Sequence, residues 1–128
     1  HMEQALAGHE GDPPDQRLWL ILSTYARFTE EQGWELVARY YQRRLDAPDD
    51  AASMDPTRFT LRSVLECLRQ MEREGVPMPG CTPEWLADFL FRHFRGVVVD
   101  WILHRGSYPL LSRLEQDYTL FSRTFQKD

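Results

Sequence analysis

The 128-residue sequence predicts an all-α fold of about five main helices, and three observations support this. Apolar residues recur at three- and four-residue spacing through most of the chain, which is the period of a helix with one buried face. Acid-then-proline pairs and glycines mark where helices begin and end. No segment alternates polar and apolar residues over the length of a strand, and the run Val97-Val98-Val99 is embedded in helical periodicity.

The length and composition of the chain fit a single globular domain. The sequence contains 4 Trp, 5 Tyr and 7 Phe, which is enough for a packed interior rather than a disordered chain. The formal net charge is -5, and no block of Lys or Arg is present that would neutralise a run of phosphates. The chain alone is therefore predicted not to bind nucleic acid.

We divide the chain into residues 1–14, a polar tail or the remnant of a connecting helix, and residues 15–128, the folded domain. The first main helix is predicted to begin at Asp12-Pro13-Pro14 and to end at Gly33, because proline suits the first turn of a helix and glycine its end. Its buried face consists of Leu18, Ile21, Leu22, Tyr25 and Phe28.

Two more amphipathic helices follow. The second is predicted to end before the loop Ala47-Pro48-Asp49-Asp50, and its apolar positions are Trp34, Val37, Tyr41 and Leu45. The third is predicted to open at Asp55-Pro56 and to stop at Gly75. Its apolar positions are Leu61, Val64, Leu65, Leu68 and Met71.

The segment Thr82 to Arg105 predicts a long helix whose apolar residues nearly encircle it. Thr82 is the expected N-cap, Pro83 occupies the first position, and Gly106 is expected to end the helix in a left-handed turn. A broad apolar arc contains Leu90, Phe91, Phe94, Val97, Val98, Trp101 and Ile102, and a second patch contains Trp85, Phe89 and Leu103. Charged residues interrupt the helix too often for a membrane span, so we expect a partner subunit to supply the extra cover.

A last helix is predicted after Gly106, with Ser107 or Tyr108 as its N-cap. Its apolar residues fall within one stripe about 100° wide, as a helix with one buried face requires. The stripe consists of Leu110, Leu111, Leu114, Tyr118, Phe121 and Phe125.

The sequence contains little reactive chemistry. Cys67 and Cys81 lack metal-ligand or disulfide spacing and are predicted to be free thiols in a reducing cytoplasm. Asp100 and His104 are one turn apart, and His93 lies on the same side of the helix. Asp100 and His104 could share a metal ion, but two ligands make no metal site without others. We therefore favour a solvated or ion-paired cluster near the end of the helix. Recognised catalytic motifs are missing, so we expect no enzyme activity, no cofactor and no metal.

The order of these elements resembles the C-terminal effector-binding and dimerisation domain of the TetR family of bacterial transcriptional regulators. The resemblance covers roughly residues 18–125 and includes a mid-helix glycine, Gly96, followed by Trp101, a glycine turn and a Leu-rich final helix. The segments that carry it are GWELVARYY, MEREGVPMPG and FLFRHFRGVVVDWILHRGSYPLLSRLEQDYTLF.

The resemblance implies a homodimer and a small-molecule effector. The last two helices would pack against the same pair of the other subunit as a four-helix bundle. The interface would then contain Val98, Trp101, Ile102, Leu114, Tyr118 and Phe121, unless these residues close the core of the monomer. An apolar or aromatic effector would lie among the first, third and long helices, against Tyr25, Phe59, Cys67, Met71, Met78, Trp85, Phe89 and His93.

Regulators of this family place a three-helix DNA-binding unit of about 45 to 50 residues before this domain, and the chain has no counterpart of it. DNA would be contacted only through that unit. We interpret His1-Met2 as a cloning remnant and the chain as truncated; if Met2 is the true start, the protein does not contact DNA itself. Two alternatives remain: a stand-alone helical module that binds another protein, and a small helical enzyme that depends on His93 or Cys67.

Overall fold

The computed structural model describes residues 2–47, 57–78 and 80–123. Six helices lie in these ranges, and no strand occurs within them, which confirms the predicted all-α class with about five main helices. The helices are α1 (Met2–Leu6), α2 (Pro14–Gln32), α3 (Trp34–Asp46), α4 (Thr57–Arg73), α5 (Pro83–Leu103) and α6 (Leu110–Ser122). None of these helices combines the length and the apolar character needed to cross a membrane.

Local cap chemistry accounts for several helix boundaries. The Trp85 backbone N–H donates to Thr82 Oγ1 at 3.1 Å, and Pro83 occupies the first turn of α5, as predicted. Gly33, with φ of 87°, separates α2 from α3. Helix α4 ends before Gly75, also as predicted, whereas its predicted start at Asp55-Pro56 and the apolar position Phe125 lie outside the described residues.

The end of α5 is a Schellman turn with two successive left-handed residues. The Gly106 N–H donates to Trp101 O and the Arg105 N–H to Ile102 O, both at 2.9 Å. Arg105, with φ of 54°, occupies the left-handed position next to the helix, and Gly106 follows with φ of 66°. A Cβ on Gly106 would lie 2.9 Å from Trp34 Cδ1, so glycine allows the start of α3 to pack against this turn.

The predicted caps of α6 are wrong. The position before α6 is Pro109, and neither Ser107 nor Tyr108 caps the helix. The Leu110 backbone N–H instead donates to Glu30 Oε2 at 2.6 Å, from the last turn of α2. A carboxylate near a helix N-terminus is favoured by the helix dipole, so Glu30 joins the end of α2 to the start of α6.

The core consists of two clusters that α2 connects. Leu18 and Ile21 of α2 have no exposed surface and pack with α4 and the first half of α5, whereas Ala26, also fully buried, packs with α3, α6 and the second half of α5. The first cluster contains Leu18, Ile21, Leu22, Val64, Cys67, Leu68, Met71, Leu86, Ala87, Leu90 and Phe91. The second contains Ala26, Val37, Phe94, Val98, Trp101, Leu110 and Leu114. Each half of α2 therefore belongs to a different part of the core.

Removal of the Glu30 side chain tests the link between α2 and α6. We expect Glu30→Ala to lower the free energy of unfolding by about 1 kcal/mol, because the Leu110 N–H loses its acceptor. The matched control is Glu31→Ala, an exposed acid on the same turn, which should change stability by less than about 0.5 kcal/mol. Urea denaturation measures both, and equal effects of the two variants would contradict the cap.

Candidate functional site

An open groove of about 790 Å³ lies between α1, α2, α3 and the first described turn of α4. We call it the aromatic groove, because five rings line it: Tyr25, Phe28, Tyr40, Tyr41 and Phe59. The other described residues of its wall are Met2, Glu3, Thr24, Thr29, Gln32, Leu36, Val37, Arg39, Arg43 and Thr60. Its volume and largely apolar wall are those of small-molecule sites.

The helical spacing of α2 and α3 creates the aromatic groove. Tyr25 and Phe28 lie about one turn apart on the C-terminal half of α2, and Thr29 stays buried there because its Oγ1 donates to Tyr25 O at 2.9 Å. Gly33 turns the chain so that α3 runs beside this half of α2. Positions one turn apart on α3, such as Leu36 and Tyr40, then face the same space.

A smaller groove of about 310 Å³ lies where α2, α5 and α6 meet, and we call it the α5–α6 groove. It is lined by Trp19, Leu22, Phe89, Leu90, His93, Phe94, Leu114, Asp117, Tyr118, Leu120 and Phe121. Its rings are paired, since Trp19 stacks on Tyr118 at 4.9 Å and Phe89 on Phe121 at 5.9 Å between centroids. His93 Nε2 lies 2.9 Å from Asp117 Oδ2 and joins α5 to α6.

One aromatic contact connects the two grooves. Tyr25 lines the aromatic groove and Phe94 lines the α5–α6 groove, and their ring centroids are 4.9 Å apart at an interplanar angle of 71°. This edge-to-face arrangement is one of the two that aromatic pairs prefer. A ligand that displaced Tyr25 would therefore act directly on Phe94 of α5.

A separate apolar surface runs along the outside of α5. We call it the apolar stripe: Trp85, Phe89, Gly96, Val99 and Leu103, which fall within about 80° around the helix. One charged residue, Arg92, lies in the same arc, and its guanidinium is 5.9 Å from the centroid of the Trp85 ring. Trp85 is 50% exposed and Leu103 75% exposed, and a Cβ on Gly96 would meet no atom within 4 Å. Leu120 of α6, 66% exposed, extends this surface beside Phe89.

The structure does not bring the eight expected ligand residues together. Tyr25 and Phe59 line the aromatic groove, whereas Phe89 and His93 line the α5–α6 groove. The space between α2, α4 and α5, where the effector was expected, is filled by the first core cluster. Cys67 and Met71 are buried in that cluster, Met78 packs against it, and Trp85 lies on the surface, stacked on Phe89 at 5.5 Å.

The six expected interface residues divide between core and surface. Val98, Trp101 and Leu114 are buried in the second core cluster of the single chain, so they are not available to a partner without rearrangement. The remaining three are partly buried: Ile102, Tyr118 and Phe121. The exposed apolar surface of α5 is instead the stripe on the neighbouring face of the helix.

The ionisable groups near the end of α5 form hydrogen bonds with one another and with the backbone. Tyr108 Oη donates to Asp100 Oδ2 at 2.8 Å, and burial together with this carboxylate raises the pKa of Tyr108 to about 12. His104 Nδ1 donates to Asp100 O at 2.8 Å. In the described ranges, no three His, Cys, Asp or Glu side chains form a group that could hold a metal ion. Burial also raises the pKa of the Cys67 thiol, which disfavours the reactive thiolate.

Most of the residues that line the aromatic groove were not predicted from the sequence. Thr24, Leu36 and Tyr40 line it, and none of them fell on the faces that periodicity selected. The one local signal was the composition of α3, where two adjacent tyrosines lie among arginines. A solvated helix face does not require adjacent aromatic side chains, so this composition was a signal of an additional role for α3.

A double-mutant cycle tests the contact between the grooves. We expect Tyr25→Leu and Phe94→Leu to be coupled by about 1 kcal/mol in the free energy of unfolding, because each substitution removes the same ring pair. Tyr25→Leu combined with Tyr118→Leu is the control, since Tyr118 stacks on Trp19, and these effects should add within about 0.5 kcal/mol. Additivity in the first pair would mean that the rings are adjacent without interacting.

Comparison of the chain with protein-family models, with curated proteins and with solved structures finds no match.

Proposed function

We propose that the chain is the effector-binding and dimerisation domain of a TetR-like bacterial transcriptional regulator. It takes up an apolar or aromatic small molecule and thereby changes how two subunits, and the DNA-binding units attached to them, are placed. It does so without catalysis. The observation that carries the proposal is that the described residues leave two apolar surfaces uncovered: a concave groove on α1 to α4 and a convex stripe on α5.

The aromatic groove supports the assignment of an effector site. Its volume of about 790 Å³ accommodates a molecule of several rings, and its aromatic wall offers large contact area. Three of the lining rings, those of Tyr25, Tyr40 and Tyr41, are phenols, a side-chain type whose hydroxyl can both donate and accept hydrogen bonds. We therefore propose an effector site between α2 and α3 rather than between α2 and α5.

The apolar stripe supports the assignment of a homodimer. It runs from Trp85 to Leu103, about 27 Å along α5, which is long enough for two helices to cross. Gly96 near its middle presents no side chain, so the backbone of a second α5 can approach closely there. Two copies related by a two-fold axis would cover each other's stripes, and the four-helix bundle would be completed by both α6 helices.

Two contacts support coupling between the sites. The Tyr25–Phe94 pair connects the wall of the aromatic groove to α5, and Glu30 connects the end of α2 to the start of α6. Both contacts originate on the C-terminal half of α2, which also forms the groove. A ligand that moves this half of α2 therefore acts on both helices of the proposed interface.

Substitution of Leu36 tests the effector site with N-phenyl-1-naphthylamine, a neutral fluorescent probe. Leu36 is a lining residue that is 52% exposed, so Leu36→Gln should leave the fold intact and weaken probe binding about tenfold, through lost apolar contact. Leu45→Gln is the control, because Leu45 is exposed on the same helix outside the groove. Equal binding by both variants and the unmodified chain would place the probe elsewhere.

Charges on the apolar stripe test the dimer. We expect the unmodified chain to sediment as a dimer at micromolar concentration, and Val99→Glu or Leu103→Glu to make it monomeric, because each substitution buries two carboxylates in a symmetric interface. Leu61→Glu, which charges an exposed leucine of α4, should leave the dimer unchanged. A monomeric unmodified chain would exclude the homodimer and favour an interaction module that binds the helices of another protein.

A further inference from the structure

The charged side chains that line the aromatic groove are predominantly positive. Among the described residues that line it, two arginines, Arg39 and Arg43, face the groove together with a single acid, Glu3. The chain as a whole carries a formal net charge of -5, so the charge of this patch is opposite in sign to that of the whole chain. Within the part of the chain that the structure describes, neither arginine forms an ion pair or a side-chain hydrogen bond.

The nearest acids on α3 do not neutralise the two arginines. The carboxylate of Asp46 accepts a hydrogen bond from Gln42 at 3.2 Å, and Glu35, one turn before Arg39, lies beyond ion-pair distance of it. Arg39 and Arg43 are themselves one turn apart on the same face, an arrangement in which like charges repel. Stability of α3 alone would favour an acid at one of these positions.

The neighbouring arginine shows the ordinary alternative. Arg44 donates to Tyr40 Oη at 3.5 Å, and its guanidinium lies 5.9 Å from the centroid of the Tyr40 ring. Its charge is thus placed against an aromatic side chain of the same helix. Arg39 and Arg43, in contrast, are arranged beside a groove whose other walls are aromatic.

We propose that the effector is an anionic aromatic compound, with its ring system against the tyrosines and phenylalanines and its acidic group held by Arg39 and Arg43. Guanidinium groups bind carboxylates and related oxyanions in a bidentate manner, and a low-polarity wall strengthens such pairs. Binding would also relieve the repulsion between the two arginines. This inference rests on the proposed function, because it names the ligand class of the same groove.

A matched pair of probes tests the anionic group on the full chain. 8-Anilinonaphthalene-1-sulfonate is N-phenyl-1-naphthylamine with a sulfonate added, so the two differ in the charge that the arginines would recognise. We expect the unmodified chain to bind the sulfonate about tenfold more tightly than the neutral probe at low salt. The double variant Arg39→Gln/Arg43→Gln should lose this preference and bind the neutral probe within about twofold of the unmodified chain.

The control variant is Arg62→Gln/Arg73→Gln, which removes the same charge from exposed positions of α4 and should keep the preference for the sulfonate. Equal affinity of the unmodified chain for both probes, or a parallel loss of both in the Arg39/Arg43 variant, would overturn the inference. So would a marked fall in the melting temperature of that variant without probe, because the arginines would then serve the fold.

Failure of this inference is distinguishable from failure of the proposed function. If Leu36→Gln weakens both probes while the arginine variant leaves the sulfonate unaffected, the groove binds ligands without reading their charge. If Leu36→Gln affects neither probe, the groove is not the ligand site and both proposals fail.

Discussion

Burial of α2 is the constraint on which the rest of the structure depends. Leu18, Ile21 and Ala26 have no exposed surface, and α1, α3, α4 and α6 all contact this helix. A helix that contacts so many others determines their positions, because close-packed side chains transmit a displacement rather than absorb it. The first half of α2 is enclosed by a filled core, so the wall of the aromatic groove is formed by the second half, where α3 turns back at Gly33.

Helix α5 packs one apolar face into this core, and a second apolar face remains exposed. Phe91, Phe94 and Val98 pack inward, while Trp85 and Leu103 remain on the outside. The core of a single chain covers one of the two apolar faces of this helix. The stripe is therefore either exposed to water, which is energetically unfavourable, or covered by a partner. In the proposed regulator it is paired with its own copy, and the same helix then carries the core on one side and the subunit interface on the other.

Features that depend on neighbouring residues could be predicted from the sequence, whereas features that depend on contacts between distant residues could not. The caps at Thr82 and Pro83 and the break at Gly33 follow from local chemistry, and the structure has them where they were predicted. The acceptor for the Leu110 N–H is a glutamate 80 positions away, which no local pattern indicates. Periodicity separated Val98, which is fully buried, from its neighbour Val99, which is 41% exposed, but it could not divide the residues of the apolar arc between the monomer core and a subunit interface. The aromatic groove could not be predicted because it forms only where α3 lies beside α2, and no local pattern indicates that contact.

The position of α3 gives the proposed ligand a second route to the interface. Trp34 at its start packs against Gly106, in the turn that ends α5 and leads to α6. A ligand held by Arg39 and Arg43 at one edge and by Tyr25 at the other would bridge α3 and α2, and would favour the arrangement in which the two helices suit its size. Movement of α2 reaches Phe94 and Leu110, and movement of α3 reaches the α5–α6 turn. Both routes end on the helices that would form the dimer, so an effector that binds one spacing of α2 and α3 better than another necessarily biases the subunit arrangement as well.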